Sequence, residues 1–349
     1  MCEVTVVLAS YNVGKYIEKS LLSALNQDFE DYEVLICDDC STDDTLDIVK
    51  RIIQEHPKGN KVRIDRGEKN QGTAVIRNNG IDHSRGKYLL YLDGDDYLPE
   101  NAISILYSKM QETNADVVMG NHHKFNDEDD ANIVNSTRRT QYTTQFKSFF
   151  IESPFAIAEW MKSRNSDYYP VATWNKLFRK SFLVDNNIRC VPSHHVIDDI
   201  YFAFQTTVNA TRFAVVDDVT LFWRQRNGSA THVNVKKDRM DIYVDIFETI
   251  MRDMKALTAD GKQKVPVQLY NTLINKYVSG FVTINILNST LLTIRQKQDY
   301  LDHIRAITKT GLTRKDMIGK VNKILFTLLS FKHNYWLMKA AIKVVYHIR

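Results

Sequence analysis

The most informative stretch of the chain is Tyr88-Leu89-Leu90-Tyr91-Leu92-Asp93-Gly94-Asp95-Asp96-Tyr97-Leu98. An apolar run stops abruptly at three carboxylates, Asp93, Asp95 and Asp96. The run has the length of a buried strand. Gly94 admits a tight turn at no steric cost, and Pro99 suits the first turn of a following helix. The acids therefore belong where a strand ends and the chain turns. Carboxylates crowded there repel one another unless a cation joins them. Hard divalent cations such as Mg²⁺ or Mn²⁺ take oxygen ligands and share them with substrate phosphates.

The sequence on either side repeats this pattern. Val4–Ala9 reads as a strand, followed by Ile17, Leu21, Leu22 and Leu25 at helical spacing within 15–26. Tyr32–Cys37 reads as a second strand and Thr42–Glu55 as a helix, with Ser41 or Thr42 as its cap and Asp43 and Asp44 in its first turn. A short strand over 62–65, a helix over 73–82, a strand over 87–92, a helix over 101–112 and a strand over 116–120 complete the series. Strands alternating with helices predict an α/β fold with a mostly parallel sheet covered on both faces. Ligands of such sheets bind beyond the carboxyl ends of the strands, where the strand order reverses. Three polar clusters fall at those ends: Ser10-Tyr11-Asn12, Asp38-Asp39 and Asp93-Gly94-Asp95-Asp96.

Composition narrows the classes. At 349 residues the chain suits about two domains. A net charge of +4 does not argue for nucleic acid. No basic leader precedes the first strand, and no apolar run has the length of a membrane span, so a cytoplasmic location is expected. Four cysteines do not make a disulfide framework. Cys37 and Cys40 form a C-x-x-C without the second pair a zinc site needs. Neither G-x-G-x-x-G after the first strand nor a G-x-x-x-x-G-K-[ST] loop is present, which excludes the dinucleotide and P-loop fingerprints. A phosphate at this acidic edge has to be held through a cation. A phosphate-accepting signalling domain is set aside as well, because its acid pair would follow the first strand, where Ser10-Tyr11-Asn12 stands.

Taken in order, Ser10-Tyr11-Asn12, Asp38-Asp39-Cys40-Ser41-Thr42-Asp43, Asn70-Gln71-Gly72 with Arg77-Asn78 and Gly80, and Asp93-Gly94-Asp95-Asp96 resemble the GT-A-fold, family 2 glycosyltransferases. The resemblance is strong over about 3–125. It continues through Trp174-Asn175-Lys176-Leu177-Phe178 and Asp198-Asp199-Ile200-Tyr201-Phe202 to about Ser229. It implies an inverting enzyme using a UDP-sugar and Mn²⁺ or Mg²⁺. Ala9, Tyr11 and Asn12 would flank the nucleobase, and Asp39 would accept a hydrogen bond from uracil. Asn70 and Arg77 would lie toward the donor, Arg77 near its diphosphate. Asp93 and Gly94 would face the ribose or the metal, and Asp95 would ligate the metal. Asp199, with Asp198 before it where the family more often has Glu, would be the base on the acceptor hydroxyl. Trp174 and Asn175 would border the sugar or acceptor. Arg226 and Ser229 would close over the diphosphate, with His232 as a further metal ligand. His194 and His195 are adjacent and do not form a spaced zinc pair.

These readings predict a glycosyltransferase domain over 1–232, with a nucleotide-sugar half to about 125 and an acceptor half beyond it. A helical module is predicted over 233–349. Ile242, Ile246, Phe247, Ile250 and Met254 form one apolar stripe, and Leu269, Leu273, Ile274, Tyr277, Phe281 and Ile284 a second. The module is expected to serve as scaffold or oligomer contact. After Asp316 the chain has no acid, and its lysines alternate with aromatic and aliphatic residues. Such a helix can lie on an anionic membrane surface, here the cytoplasmic leaflet. The expected acceptor is a growing cell-surface glycan, carried on polyprenyl diphosphate or on protein. A non-catalytic nucleotide-sugar-binding scaffold is the competing expectation, and it would be expected to lack the acids retained here.

Overall fold

The computed structural model describes residues 2–127, 146–163, 171–191, 198–226 and 237–259, with scattered positions between 293 and 303. The chain divides into two compact units, one of residues 1–157 and 171–232, the other of residues 158–170 and 233–349.

The first unit follows the order β1 (Val4–Ser10), α1 (Gly14–Leu25), β2 (Tyr32–Asp38), α2 (Thr45–Glu55), β3 (Val62–Arg66), α3 (Thr73–His83), β4 (Tyr88–Asp93), α4 (Ala102–Thr113), β5 (Val117–Asn126) and β6 (Phe149–Glu152). After α5 (Ala156–Ser163), most of which belongs to the second unit, come β7 (Lys176–Arg179), α6 (Lys180–Asp185), α7 (Asp198–Asn209) and β8 (Arg212–Gln225). The strands form one sheet in the order β3-β2-β1-β4-β7-β5-β8-β6. The four strands β3, β2, β1 and β4 are parallel. β7 runs against both β4 and β5, so β4, β5 and β8 point the same way.

The parallel strands are apolar on both sides because both faces are covered. Val4, Val6, Val7 and Leu8 of β1 and Leu89, Leu90 and Leu92 of β4 are fully buried. Each such side chain contributes about 1.5–3 kcal/mol by leaving water. The chain steps from β1 to β2 to β3, then returns to the other side of β1 for β4. The strand order therefore reverses between β1 and β4, which is where a crevice opens in such sheets. Register places the polar clusters in one row, with Ser10 beside Asp38 and Ala9 beside Asp93.

Three local expectations need correction. The second helix starts at Thr45, and neither Ser41 nor Thr42 caps it. Ser41 Oγ instead accepts the Asn12 amide at 3.0 Å, and Asp43 accepts the Gly14 amide at 3.0 Å. These polar groups satisfy the turn into α1, a long-range use that local capping rules do not anticipate. Pro99 lies ahead of α4, whose N-cap is Asn101. β5 continues well past Gly120 to Asn126, pairing with β8 as far as Gln225 after a register shift. Its polar half, Asn121–Lys124, hides the strand from a search for apolar runs.

In the second unit, α8 (Lys237–Ala259) buries Tyr243, Ile246, Phe247, Ile250, Met251 and Met254. This is one stripe of a helix with a period near 3.6 residues. The second stripe, Leu269–Ile284, and the basic segment beyond Asp316 lie outside the described residues. Among the described residues no helix is long and apolar enough to cross a membrane.

Candidate active site

Two acids end β2, and the structure uses them differently. Asp38 is fully buried and accepts the Ser10 and Ser41 hydroxyls at 3.0 and 2.5 Å and the Ser41 amide at 2.9 Å. It shapes the turn. Asp39, turned the other way, accepts the amides of Gln71 and Gly72, each at 2.7 Å. Gly72 makes this approach possible because its φ of 88° suits a residue without a Cβ. Asp39 thus fixes the loop that leads into α3 and delivers Arg77. Asn70 is exposed in that loop.

Arg77 is buried, and its Nη2 donates to Asp93 Oδ1 at 3.2 Å. Gly94 then turns the chain beneath β1. Its amide donates to the Ala9 carbonyl at 2.9 Å, and a Cβ there would stand 2.9 Å from Val13 Cγ2. Any side chain would push the two strand ends apart. Tyr11, at the end of β1, keeps 45% of its surface exposed, a ring open to solvent beside this row of acids. Asn12 has a positive φ of 50° and holds its own turn, its Oδ1 accepting the Thr42 amide at 2.8 Å.

The acids after β4 are met by two arginines, one at the end of β8 and one just past it. Arg224 is almost fully buried: its amide donates to Asp96 Oδ1 at 2.8 Å, its Nε to the Asp95 carbonyl at 2.8 Å and its Nη1 to Asp127 Oδ1 at 2.9 Å. Arg226, just past the end of β8, donates Nε to Asp95 Oδ2 at 2.7 Å. Both guanidinium groups lie near the Tyr16 ring, at 4.9 and 5.3 Å from its centroid. Burial, together with the charges of Asp95 and Asp93, holds the Asp96 carboxyl well above the usual carboxylate range. Burial would raise Asp127 too, but hydrogen bonds from Arg224, Lys15 and Tyr16 outweigh it and lower the carboxyl. Sequence reasoning assigned no role to Arg224 or Asp127, and it counted Asp96 among the acids a cation would join, whereas the structure buries Asp96 and gives it the Arg224 amide. The available signal for Arg224 was the spacing of two arginines after an apolar run.

Trp174 is 7% exposed and belongs to the core, its ring 5.1 Å from His122 and 5.2 Å from Trp223. Asn175 is buried with a φ of 64°, its side chain bridging the Gly120 carbonyl and the Thr220 hydroxyl. Burial, then Lys176 and Lys124, push the His122 imidazole down to about 4, so the ring is neutral. Asp199 stands in the first turn of α7 and is partly exposed. The chain before that helix is tied to α3 through Asn78, which exchanges two hydrogen bonds with the Cys190 backbone at 2.8 and 2.9 Å. Asp198 is the first residue of α7. Ser229, His232, His194 and His195 lie outside the described residues. Cys37 and Cys40 are free thiols.

Among the described residues no three His, Cys, Asp or Glu side chains converge as an all-protein metal cage. The donor set nevertheless fits Mn²⁺ or Mg²⁺. Asp93 and Asp95 offer hard oxygens, and burial followed by their two charges holds the neighbouring Asp96 carboxyl above its usual range. One or two carboxylates completed by phosphate oxygens is the usual arrangement for Mg²⁺.

Residues 5–168 match the family model described as Glycosyl transferase family 2. The chain is 28% identical over 256 residues to Glycosyltransferase GlyG of Streptococcus pneumoniae, covering 72% of this chain and 80% of the relative. It is 29% identical over 263 residues to the poly(ribitol-phosphate) beta-N-acetylglucosaminyltransferase TarP of Staphylococcus aureus, covering 74% and 72%. The crystal structure of S. aureus TarS 1-349 in complex with UDP-GlcNAc superposes with a TM-score of 0.74 at 23% identity, covering 98% of this chain and 91% of that one. The chain carries a family 2 glycosyl transferase domain in the GT-A arrangement, and it is a glycosyltransferase.

Proposed function

We propose that this glycosyltransferase is an inverting, cation-assisted enzyme that moves a hexose or N-acetylhexosamine from a UDP-sugar to a hydroxyl of a growing cell-surface glycan. The observation that carries the reading is the row of Asp39, Asp93 and Asp95 at the point where the strand order reverses, beside the exposed ring of Tyr11. The similarity to TarP favours N-acetylglucosamine as the sugar and a polyol-phosphate chain as the acceptor. The similarity in fold to a UDP-GlcNAc complex is in keeping with a UDP-linked donor.

In this reading the Tyr11 ring and the Ala9–Asn12 backbone flank the base. Asp39 takes the uracil N–H on a lone pair left over from its two amide bonds, since each carboxylate oxygen can accept twice. Arg77 and Asp93 lie toward the ribose and diphosphate. Asp95, with Asp93, holds Mn²⁺ or Mg²⁺, which when bound neutralises the charge growing on the leaving diphosphate. His232 is a further candidate ligand, and Ser229 with Arg226 contacts the diphosphate from above. Asp199 removes the proton of the acceptor hydroxyl, with Asp198 in support. Trp174 borders the sugar from within the core. The segment beyond Asp316 rests on the anionic cytoplasmic leaflet, where lipid-linked acceptors are presented, and the helical module serves oligomer contact.

Asp199→Asn tests the chemistry. The variant should bind UDP as the wild type does, while UDP release from a panel of UDP-sugars with acceptor falls by roughly 10²–10⁴-fold. Full turnover in that variant would move the base elsewhere.

A further inference from the structure

Arg224 at the end of β8 and Arg226 just past it approach the same acidic turn, yet they are held in different ways. The Arg224 side chain and amide make three hydrogen bonds to Asp95, Asp96 and Asp127, and the side chain is 3% exposed. The Arg226 guanidinium makes an ion pair to Asp95, Nε to Oδ2 at 2.7 Å, and its side chain is 29% exposed. A short, charge-assisted bond of this kind compensates the Asp95 charge. It also competes with a divalent cation for the negative charge of that carboxylate, although Oδ1 and a second lone pair of Oδ2 stay open. A guanidinium and a metal ion cannot both sit on that oxygen in one direction.

Resting on the reading of Asp95 as a metal ligand, we propose that Arg226 is the resident counter-ion of Asp95 in the donor-free protein, and that it couples metal binding to nucleotide binding. A cation held by Asp95 would take up the charge that binds the guanidinium and so loosen Arg226 from Oδ2. A diphosphate offers the released guanidinium a new anionic partner of matching fork geometry. Metal alone therefore binds weakly, since it strands Arg226 beside other cations: Arg224 shares the Tyr16 ring with it. Metal and nucleoside diphosphate together bind well, and by linkage each raises the affinity of the other by the same factor. The device keeps the acidic turn neutralised without a cation and ties cation capture to donor arrival. Arg226 is a positioning residue in this scheme.

The test measures Mn²⁺ binding to the full chain by the electron paramagnetic resonance signal of the free ion, with and without UDP. In the wild type, UDP should tighten Mn²⁺ severalfold or more. Arg226→Gln should bind Mn²⁺ alone about fivefold or more tightly than wild type, and UDP should add correspondingly less, reducing the coupling factor. Arg226→Lys keeps a cation and should retain weak metal-only binding, which separates loss of charge from loss of fold. Unchanged or weaker Mn²⁺ binding in Arg226→Gln, with an undiminished coupling factor, overturns the proposal. Asp95→Asn is the control for the underlying site. If it binds Mn²⁺ as the wild type does, the metal-ligand reading fails whatever Arg226 does.

Discussion

The ends of β2 and β4 flank the same central strand and both carry acids, but they stabilise them by opposite means. At β2 the carboxylates are held mainly by neutral donors: the hydroxyls of Ser10 and Ser41 and the amides of Ser41, Gln71 and Gly72. Arg66 approaches Asp38 only to 3.8 Å and is half exposed. At β4 the partners are guanidinium groups, those of Arg77 and Arg226 on Asp93 and Asp95, with Arg224 between. Backbone amides cannot leave, so the β2 end is a fixed mould. A side-chain cation can be exchanged for another, so the β4 end is a site for positive charge with a tenant already in place. An acidic motif alone does not distinguish these two states; the chemistry of the donors does.

The sharpest way to break this contrast is to remove the arginine that does not exchange. Arg224→Met removes the buried one of three donors to Asp127, leaving Lys15 and Tyr16, and unties the Asp95 carbonyl. It should cost about 1.5–3 kcal/mol in urea unfolding, the range for a hydrogen bond to a charged group. A loss below about 1 kcal/mol, as for an exposed ion pair, would place Arg224 with the exchangeable group. At the other end, Asp38→Asn keeps size but turns an NH₂ toward donors that need an acceptor. A loss of about 1–3 kcal/mol is expected, as for other buried groups left unsatisfied. That loss should be nearly independent of salt, because the partners are neutral; a strongly salt-dependent loss would show that Arg66 carries the contact.

The smallest effect concerns His122, which lies in neither end. Its folded-state value of about 4 is below the ordinary histidine value of 6.5. The unfolded chain therefore takes up a proton first as pH falls, and this contribution is present at neutral pH and lost between about 6.5 and 4. Between pH 7 and 5.5 the loss is about 1 kcal/mol. Replacing the ring by His122→Phe should remove that part of the acid sensitivity in paired unfolding curves at the two pH values. An identical slope in both proteins would mean the ring is hydrated.

Much of the fold was legible because buried parallel strands announce themselves as unbroken apolar runs, and β1, β2 and β4 do so. The acids at their ends were legible for the same reason: they interrupt those runs. What could not be read was the division of labour between neighbours. Asp38 and Asp39 are adjacent in sequence but face opposite ways at the strand end, one into the turn and one toward the α3 loop. Arg224 and Arg226 are alike in type and differ only in what the fold brings to them from about a hundred residues away or more. The polar half of β5 has no apolar periodicity, and its pairing is fixed by β8, just under a hundred residues away in sequence. The second helical stripe and the basic terminal segment are sequence features outside the described residues, and the assignments for Ser229 and His232 stand on the family resemblance.

The central claim is that Asp95 holds the cation through which the diphosphate of the donor is bound. Calorimetric titration of UDP into wild type and Asp95→Asn, each with Mn²⁺ and with chelator, tests it most directly. Chelation should weaken UDP binding to the wild type by at least about tenfold, the loss usual when a metal-site group is removed. Asp95→Asn with Mn²⁺ present should match the chelated wild type. Mn²⁺-dependent affinity of undiminished size in Asp95→Asn would contradict the account.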